Sequence, residues 1–187
     1  PHGMLDPWFK ERYPLKHLKK WLYWPWAEYR VLRDARAVVF TCERERELAR
    51  KSFWLYRCRE RVVSYGTAAP VGEPARQARE FFERHPETRD RRVVLFLGRV
   101  HEKKGVDLLL EAFAKTLAPD AGEKWHLVIA GPGTHEQISR LQTLAATLGI
   151  AERVTWTGLL QEDLKWGAMR AADVFVLPSH QENFGIA

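Results

Sequence analysis

Two short stretches hold the residue types that could handle a charged sugar derivative. Residues 98–105 read GRVHEKKG, with Arg99, Lys103 and Lys104 between glycines, directly after an apolar run at 93–97. Residues 178–187 read PSHQENFGIA, where the carboxylate of Glu182 is followed by Asn183, Phe184 and Gly185, directly after a second apolar run at 174–177. Cations and backbone N–H groups at a glycine-flanked turn suit phosphate, and a carboxylate suits sugar hydroxyls. A site with both suits a sugar nucleotide.

Such a site needs elements that bring two strand ends to one edge. From Arg92 onward the pattern is regular. Strands are expected at 93–97, 125–130, 154–156 and 173–177, and helices at 106–117, 136–148 and 161–171. The first helix rests on Val106, Leu109, Leu110, Phe113 and Leu117, and the second on Ile138, Leu141, Ala145 and Leu148. Strands alternating with helices give parallel βαβ units and a doubly wound, Rossmann-like sheet. Ligands of such sheets sit beyond the carboxyl ends of the strands. Gly131 and Gly133 flank Pro132 after one strand, where a tight turn permits close backbone approach; a purely structural turn explains them as well. Gly158 and Leu159 follow the next strand in the same way.

The first third reads differently. Leu15, Leu18, Leu22, Trp26 and Tyr29 recur at helical spacing, and Pro25 should kink that helix or split it. The other face has Lys16, Lys19, Lys20, Trp21 and Trp24, a pattern of membrane interfaces; packing of these tryptophans on another part of the first domain is the plainer account. Short strands are expected at 37–41 and 61–65, with a charged helix at 43–51 between them. Residues 67–91 contain Pro70, Pro74 and Pro86 and a helical stretch near 75–84. The organisation expected is therefore the partial end of a first Rossmann-like domain over 1–70, a linker over 71–91 and a nucleotide-sugar-binding domain over 92–187.

Charge supports this division. Residues 1–66 contain 15 Lys/Arg against 8 Asp/Glu, and residues 67–187 contain 15 against 16. The net +6 of the chain thus belongs to its first third, which suggests an anionic partner there, a membrane surface or a phosphorylated lipid. No motif supports nucleic acid. Cys42 and Cys58 lack metal-ligand or disulfide-framework spacing, which fits a cytoplasmic setting. His101, His135 and His180 form no ligand set, so no metal is expected. There is no 18-residue apolar run. The 187 residues lack an initiator Met and stop just after a site-like motif, so an internal piece of a longer protein is expected.

The motifs GR-x4-KG, AGPG and ADVFVLPS-x2-ENFGIA, in this order, resemble the donor-binding domain of family-4 retaining glycosyltransferases of the GT-B fold. The resemblance covers 92–187 well and the earlier residues more weakly; at 64–67 only Gly66 matches the family's interdomain turn. It implies a retaining transfer of a hexose from a nucleotide-diphosphate sugar, the donor substrate, to a hydroxyl of a glycan or lipid-linked acceptor, with no cofactor. It further implies that Arg99 and Lys104 hold the diphosphate, with Lys103 the competing choice by proximity. Glu182 would contact the donor sugar, and Asn183, Phe184 and Gly185 would offer backbone groups; otherwise Glu182 is an ordinary helix N-terminal charge. The family's second glutamate would fall at position 190, beyond the chain. His2 resembles a histidine that faces the donor from the first domain; otherwise it is a simple loop residue. Two other functions fit less well: a sugar-nucleotide epimerase of the same fold, and a non-catalytic nucleotide-sugar-binding fragment.

Overall fold

The computed structural model describes residues 4–116, 124–180, 182, 185 and 187. They belong to two compact units, 1–68 with 181–186 and 69–180 with 187.

In the first unit, α1 (Trp8–Arg12), α2 (Pro14–Tyr23) and α3 (Glu28–Asp34) precede β1 (Val38–Phe40), α4 (Glu43–Ala49) and β2 (Glu60–Val62). The two strands run parallel, with Val38 opposite Glu60 and Phe40 opposite Val62. Pro25 splits the expected long helix: α2 stops at Tyr23 and α3 starts at Glu28, because proline lacks the N–H a continuing helix needs and its ring clashes one turn back. The helix α4 is capped on two sides. The Cys42 sulfur accepts the Glu45 N–H at 3.4 Å, and the Glu45 carboxylate accepts the N–H and hydroxyl of Thr41 at 2.7 and 2.9 Å.

The core of this unit decides between the two readings of Trp24. Its ring is fully buried among Leu5, Val38, Phe40, Ala49 and Phe53, as the packing account expects and the membrane account does not. Its ring stacks on Phe53 at 3.7 Å between centroids, and its Nε1 donates to the Leu55 carbonyl at 2.7 Å. A small core needs a large aromatic, and Trp24 has a partner for its one polar atom. The stripe of Leu15, Leu18 and Leu22 points outward instead: Leu15 is 81% and Leu22 69% exposed, and α2 buries none of its residues.

In the second unit the order is α5 (Pro74–Arg84), β3 (Arg92–Leu97), α6 (Val106–Thr116), β4 (Trp125–Ala130), α7 (His135–Thr147), β5 (Val154–Gly158), α8 (Glu162–Ala171) and β6 (Val174–Phe175). All pairings are parallel, in the order β5-β4-β3-β6. The sheet is doubly wound, and its core follows the period of two. Phe96, Leu127 and Ile129 point into one cluster with Leu109, Leu110 and Phe113 of α6 and Leu141 of α7. Val93, Leu95, Val128 and Ala130 point into the other, with Phe81 of α5 and Ala168 of α8. A strand buried on both faces reads as a continuous apolar run, which is why 93–97 and 127–130 do. Each fully buried Phe or Leu contributes about 1.5–3 kcal/mol.

Residues 71–91, expected as a linker, fall in this unit. Within them α5 is capped by Glu73, which accepts from the Ala75 N–H at 2.8 Å. It packs on α8, where the buried Gln77 donates to Asp163 at 2.6 Å and accepts from Arg170 at 3.0 Å. The strand expected at 173–177 is short, and Val174 and Phe175 are exposed. Among the described residues β6 pairs only with β3 and ends the sheet. Leu117, expected in α6, lies outside the described residues.

Candidate functional site

The strand order locates the site. From β3 the chain winds through α6, β4 and α7 to β5, then returns through α8 to β6 on the opposite side of β3. Right-handed crossovers place α6 and α7 on one face of the sheet and α8 on the other. The carboxyl ends of β3 and β6 therefore form a switch point, the edge at which open α/β sheets bind their ligands. The loop after β3 is 98–105; the loop after β6 begins at 176.

Backbone contacts hold these loops together. The His180 N–H donates to the Lys103 carbonyl at 2.8 Å. Gly105 is left-handed (φ 64°), and a Cβ there would lie 2.2 Å from the Pro178 carbonyl oxygen. Only glycine meets both demands without strain. The loop after β4 joins on the other side. The Val100 N–H donates to the Pro132 carbonyl at 2.8 Å, and a Cβ on Gly131 would lie 1.9 Å from the Gly98 oxygen. The Gly131 N–H donates to the Gly158 carbonyl at 2.7 Å, linking the end of β5.

Within the first loop, residues 102–104 form a single 3-10 turn capped by His101, whose Nδ1 accepts the Lys103 N–H at 3.2 Å. Gly105 ends the turn, and α6 starts at Val106. Val100 and Val106 are buried and pin the loop at both ends. Arg99, just before Val100, is exposed, and Lys103 and Lys104, between the two valines, are half-buried. Cationic side chains thus stand on a fixed turn at the switch point, a geometry suited to an anionic group.

The structure brings Arg99, Lys104, Gly131, Gly133 and Gly158 to one edge of the second unit. Gly133 fits closely: a Cβ there would lie 2.8 Å from Val100 Cβ. Gly158 has open space around it, and Leu159 is exposed. Glu182 is exposed, and Gly185 is left-handed (φ 69°); both belong to the first unit. His2, Asn183 and Phe184 lie outside the described residues.

A groove of about 360 Å3 lies beside the loop, lined by His101, Glu102, Asp107, Thr134, Gln137 and Arg140. Sequence reasoning did not select Gln137 and Arg140. They sit on the first turns of α7 at i, i+3 spacing, a signal that exposed helix residues share everywhere. Among the described residues no three His, Cys, Asp or Glu side chains are placed to hold a metal ion, and no helix is long and apolar enough to cross a membrane.

Comparison with known proteins gives a consistent picture. Residues 77–187 match the family described as Glycosyl transferases group 1. Over 99 residues, 50% of this chain and 22% of the relative, the sequence is 43% identical to a D-inositol 3-phosphate glycosyltransferase of Geodermatophilus obscurus. Over 163 residues, 86% of this chain and 41% of the relative, it is 31% identical to the alpha-D-kanosaminyltransferase of Streptomyces kanamyceticus. The chain spans less than half the length of these relatives. In fold it is similar to sucrose-phosphate synthase of Thermosynechococcus elongatus, with TM-score 0.68 and 24% identity over 85% of this chain and 39% of that one. It is also similar to HepE of Anabaena in complex with UDP-glucose, with TM-score 0.72 and 14% identity over 97% and 46%.

Proposed function

This chain belongs to the glycosyl transferases group 1 family and has the GT-B type of fold, and from that premise we propose that it moves a hexose from a nucleotide-diphosphate sugar to a hydroxyl of a glycan or lipid-linked acceptor, with retention of the anomeric configuration. The observation that supports this reading most is the turn 98–105, which sets Arg99 and Lys104 at the switch point between β3 and β6. In the reaction the bond from the anomeric carbon to the diphosphate oxygen breaks. A bond from the acceptor oxygen forms on the same face, and the acceptor proton goes to the departing phosphate. The anomeric carbon passes through an oxocarbenium-like state. Negative charge grows on the leaving diphosphate, and the two cations meet it from a turn already in place, so little reorganisation is needed.

In this reading residues 1–70 form the acceptor-side domain and 92–187 the donor domain, with 71–91 leading into the donor domain and packing on it through α5. Glu182 accepts hydrogen bonds from the donor sugar, and Asn183, Phe184 and Gly185 add backbone contacts. His2 faces the donor from the first domain. Gly131, Gly133, Gly158 and Leu159 border the nucleotide. The nucleotide sugar is the donor, without a separate cofactor. Arg99→Ala and Lys104→Ala in the full-length protein are expected to lower transfer by about 10²-fold or more each, with unchanged thermal melting since both are loop residues. Turnover near that of the parent in both variants overturns the diphosphate assignment.

The protein would act in the cytoplasm, held peripherally on an anionic membrane. Two observations support this placement: the outward leucines of α2 with the exposed Trp26, and the surplus of seven positive charges over residues 1–66. Apolar side chains beside lysines suit an interface of lipid headgroups.

A further inference from the structure

Tyr13, Lys16, His17 and Lys20 fall at i, i+3, i+4 and i+7 along α2 and its cap, so one stripe presents a phenol, an imidazole and two ammonium groups. That stripe lines a cavity of about 230 Å3 in the first unit, together with Met4, Asp6, Ser52 and Phe53. The helix is turned inside out, with leucines toward solvent and cations toward the cavity.

The cavity has a built wall. The Lys20 ammonium lies 5.6 Å from the centre of the Phe53 ring and 5.9 Å from that of Trp24, and donates to the Met4 carbonyl at 3.4 Å. An ammonium has three donors, so it can serve a ligand at the same time. The Lys16 ammonium lies 4.9 Å from the centre of the Tyr13 ring. His17 stacks on Phe53 at 4.8 Å between centroids. Burial, then the charges of Lys10 and Lys20, holds His17 below its ordinary pKa. The acid in the lining, Asp6, already accepts the Trp8 N–H at 2.8 Å.

We propose that this cavity binds a phosphomonoester group through Lys16 and Lys20, with His17 donating to a further oxygen. Two ammonium groups match a charge of about −1.5 to −2 and a set of three acceptor oxygens. The volume of about 230 Å3 is below the roughly 300 Å3 at which pockets take a whole drug-sized ligand. It fits the phosphate and the adjoining part of its carrier. The site lies in the first unit and is distinct from the turn 98–105 of the second, so it stands whether or not the transferase reading does. The carrier is a soluble sugar phosphate or a lipid headgroup, and the chemistry is the same for both.

Titration calorimetry on the full-length protein, with glucose 6-phosphate against glucose, tests the soluble source. Co-sedimentation with vesicles containing phosphatidic acid, against vesicles of equal charge containing phosphatidylglycerol, tests the lipid source. Preference for the phosphomonoester in either arm is expected. The Lys16→Ala/Lys20→Ala double variant should weaken it by about tenfold or more, while Lys19→Ala, outside the lining, should not. Binding should persist in Arg99→Ala, which separates this cavity from the donor site. No preference in either arm, equal binding by the double variant, or loss of binding in Arg99→Ala alone overturns the proposal.

Discussion

Gly105 and Gly149 have nearly the same backbone, φ 64° and 70°, but different surroundings. A Cβ at Gly105 meets the Pro178 carbonyl oxygen at 2.2 Å, whereas one at Gly149 meets nothing within 4 Å. Gly149→Ala should therefore cost only the left-handed conformation, about 1 kcal/mol. Gly105→Ala should cost roughly 2–4 kcal/mol, because a backbone atom must also move, and should lower transfer as the loop shifts. Urea denaturation of the two variants gives the comparison; equal losses would mean that the Pro178 contact adds nothing. The sequence distinguishes neither glycine from the other. What could be read was the motif GR-x4-KG with its strand end. The reason for its last glycine is a carbonyl 73 residues later, which local pattern does not reveal.

The strands β4 and β5 are joined at their amino ends by a relay that runs from the buried His126 to the exposed Glu87. His126 Nε2 bonds Thr155 Oγ1 at 2.9 Å, and that hydroxyl donates to the Glu87 carboxylate at 2.8 Å. Burial holds His126 below its ordinary pKa of 6.5; Glu87 opposes the shift, and Arg91 and Arg153 reinforce it. The unfolded chain then takes up the proton first. Stability from this group is full above about pH 6.5 and falls as pH drops below that value toward the folded pKa, by at most about 1.4 kcal/mol per pH unit. Thermal melting at pH 7.5 and 5.5 should show a larger acid loss in the parent than in His126→Gln, which keeps a hydrogen-bonding group without titrating. Equal acid losses would remove His126 as the cause. Elements of this unit were legible because their two-sided burial leaves unbroken apolar runs. The exposed strand β6 was misjudged because its apolar residues look the same whether or not they are covered.

On the scale of the molecule, the surplus of positive charge and the outward leucines belong to one unit and the phosphate-type turn to the other. Periodicity found α2 but not which side faces in. Trp24 fits either face by spacing, and only the aromatic partner at Phe53, 29 residues on, decides it. The proposed membrane placement makes a prediction here. Each basic residue near an anionic surface is worth about 1 kcal/mol, and salt should screen it. Leu18→Glu and Leu22→Glu remove apolar contact and add repulsion without disturbing a buried core. Co-sedimentation of the full-length protein with vesicles containing phosphatidylglycerol should fall in both variants and fall with salt. Equal recovery with neutral and anionic vesicles at low salt would discard the placement.

The turn at 98–105 and its neighbours are held by main-chain atoms: Gly105 against the Pro178 carbonyl, the His180 N–H on the Lys103 carbonyl, Gly131 against the Gly98 oxygen. The spacing of these loops thereby rests on backbone contacts and not on the side chains at 99 and 180. Their identity can drift, or be altered by design, while the frame that presents them stays in register. A change of ligand preference at this edge needs a few codons and no refolding.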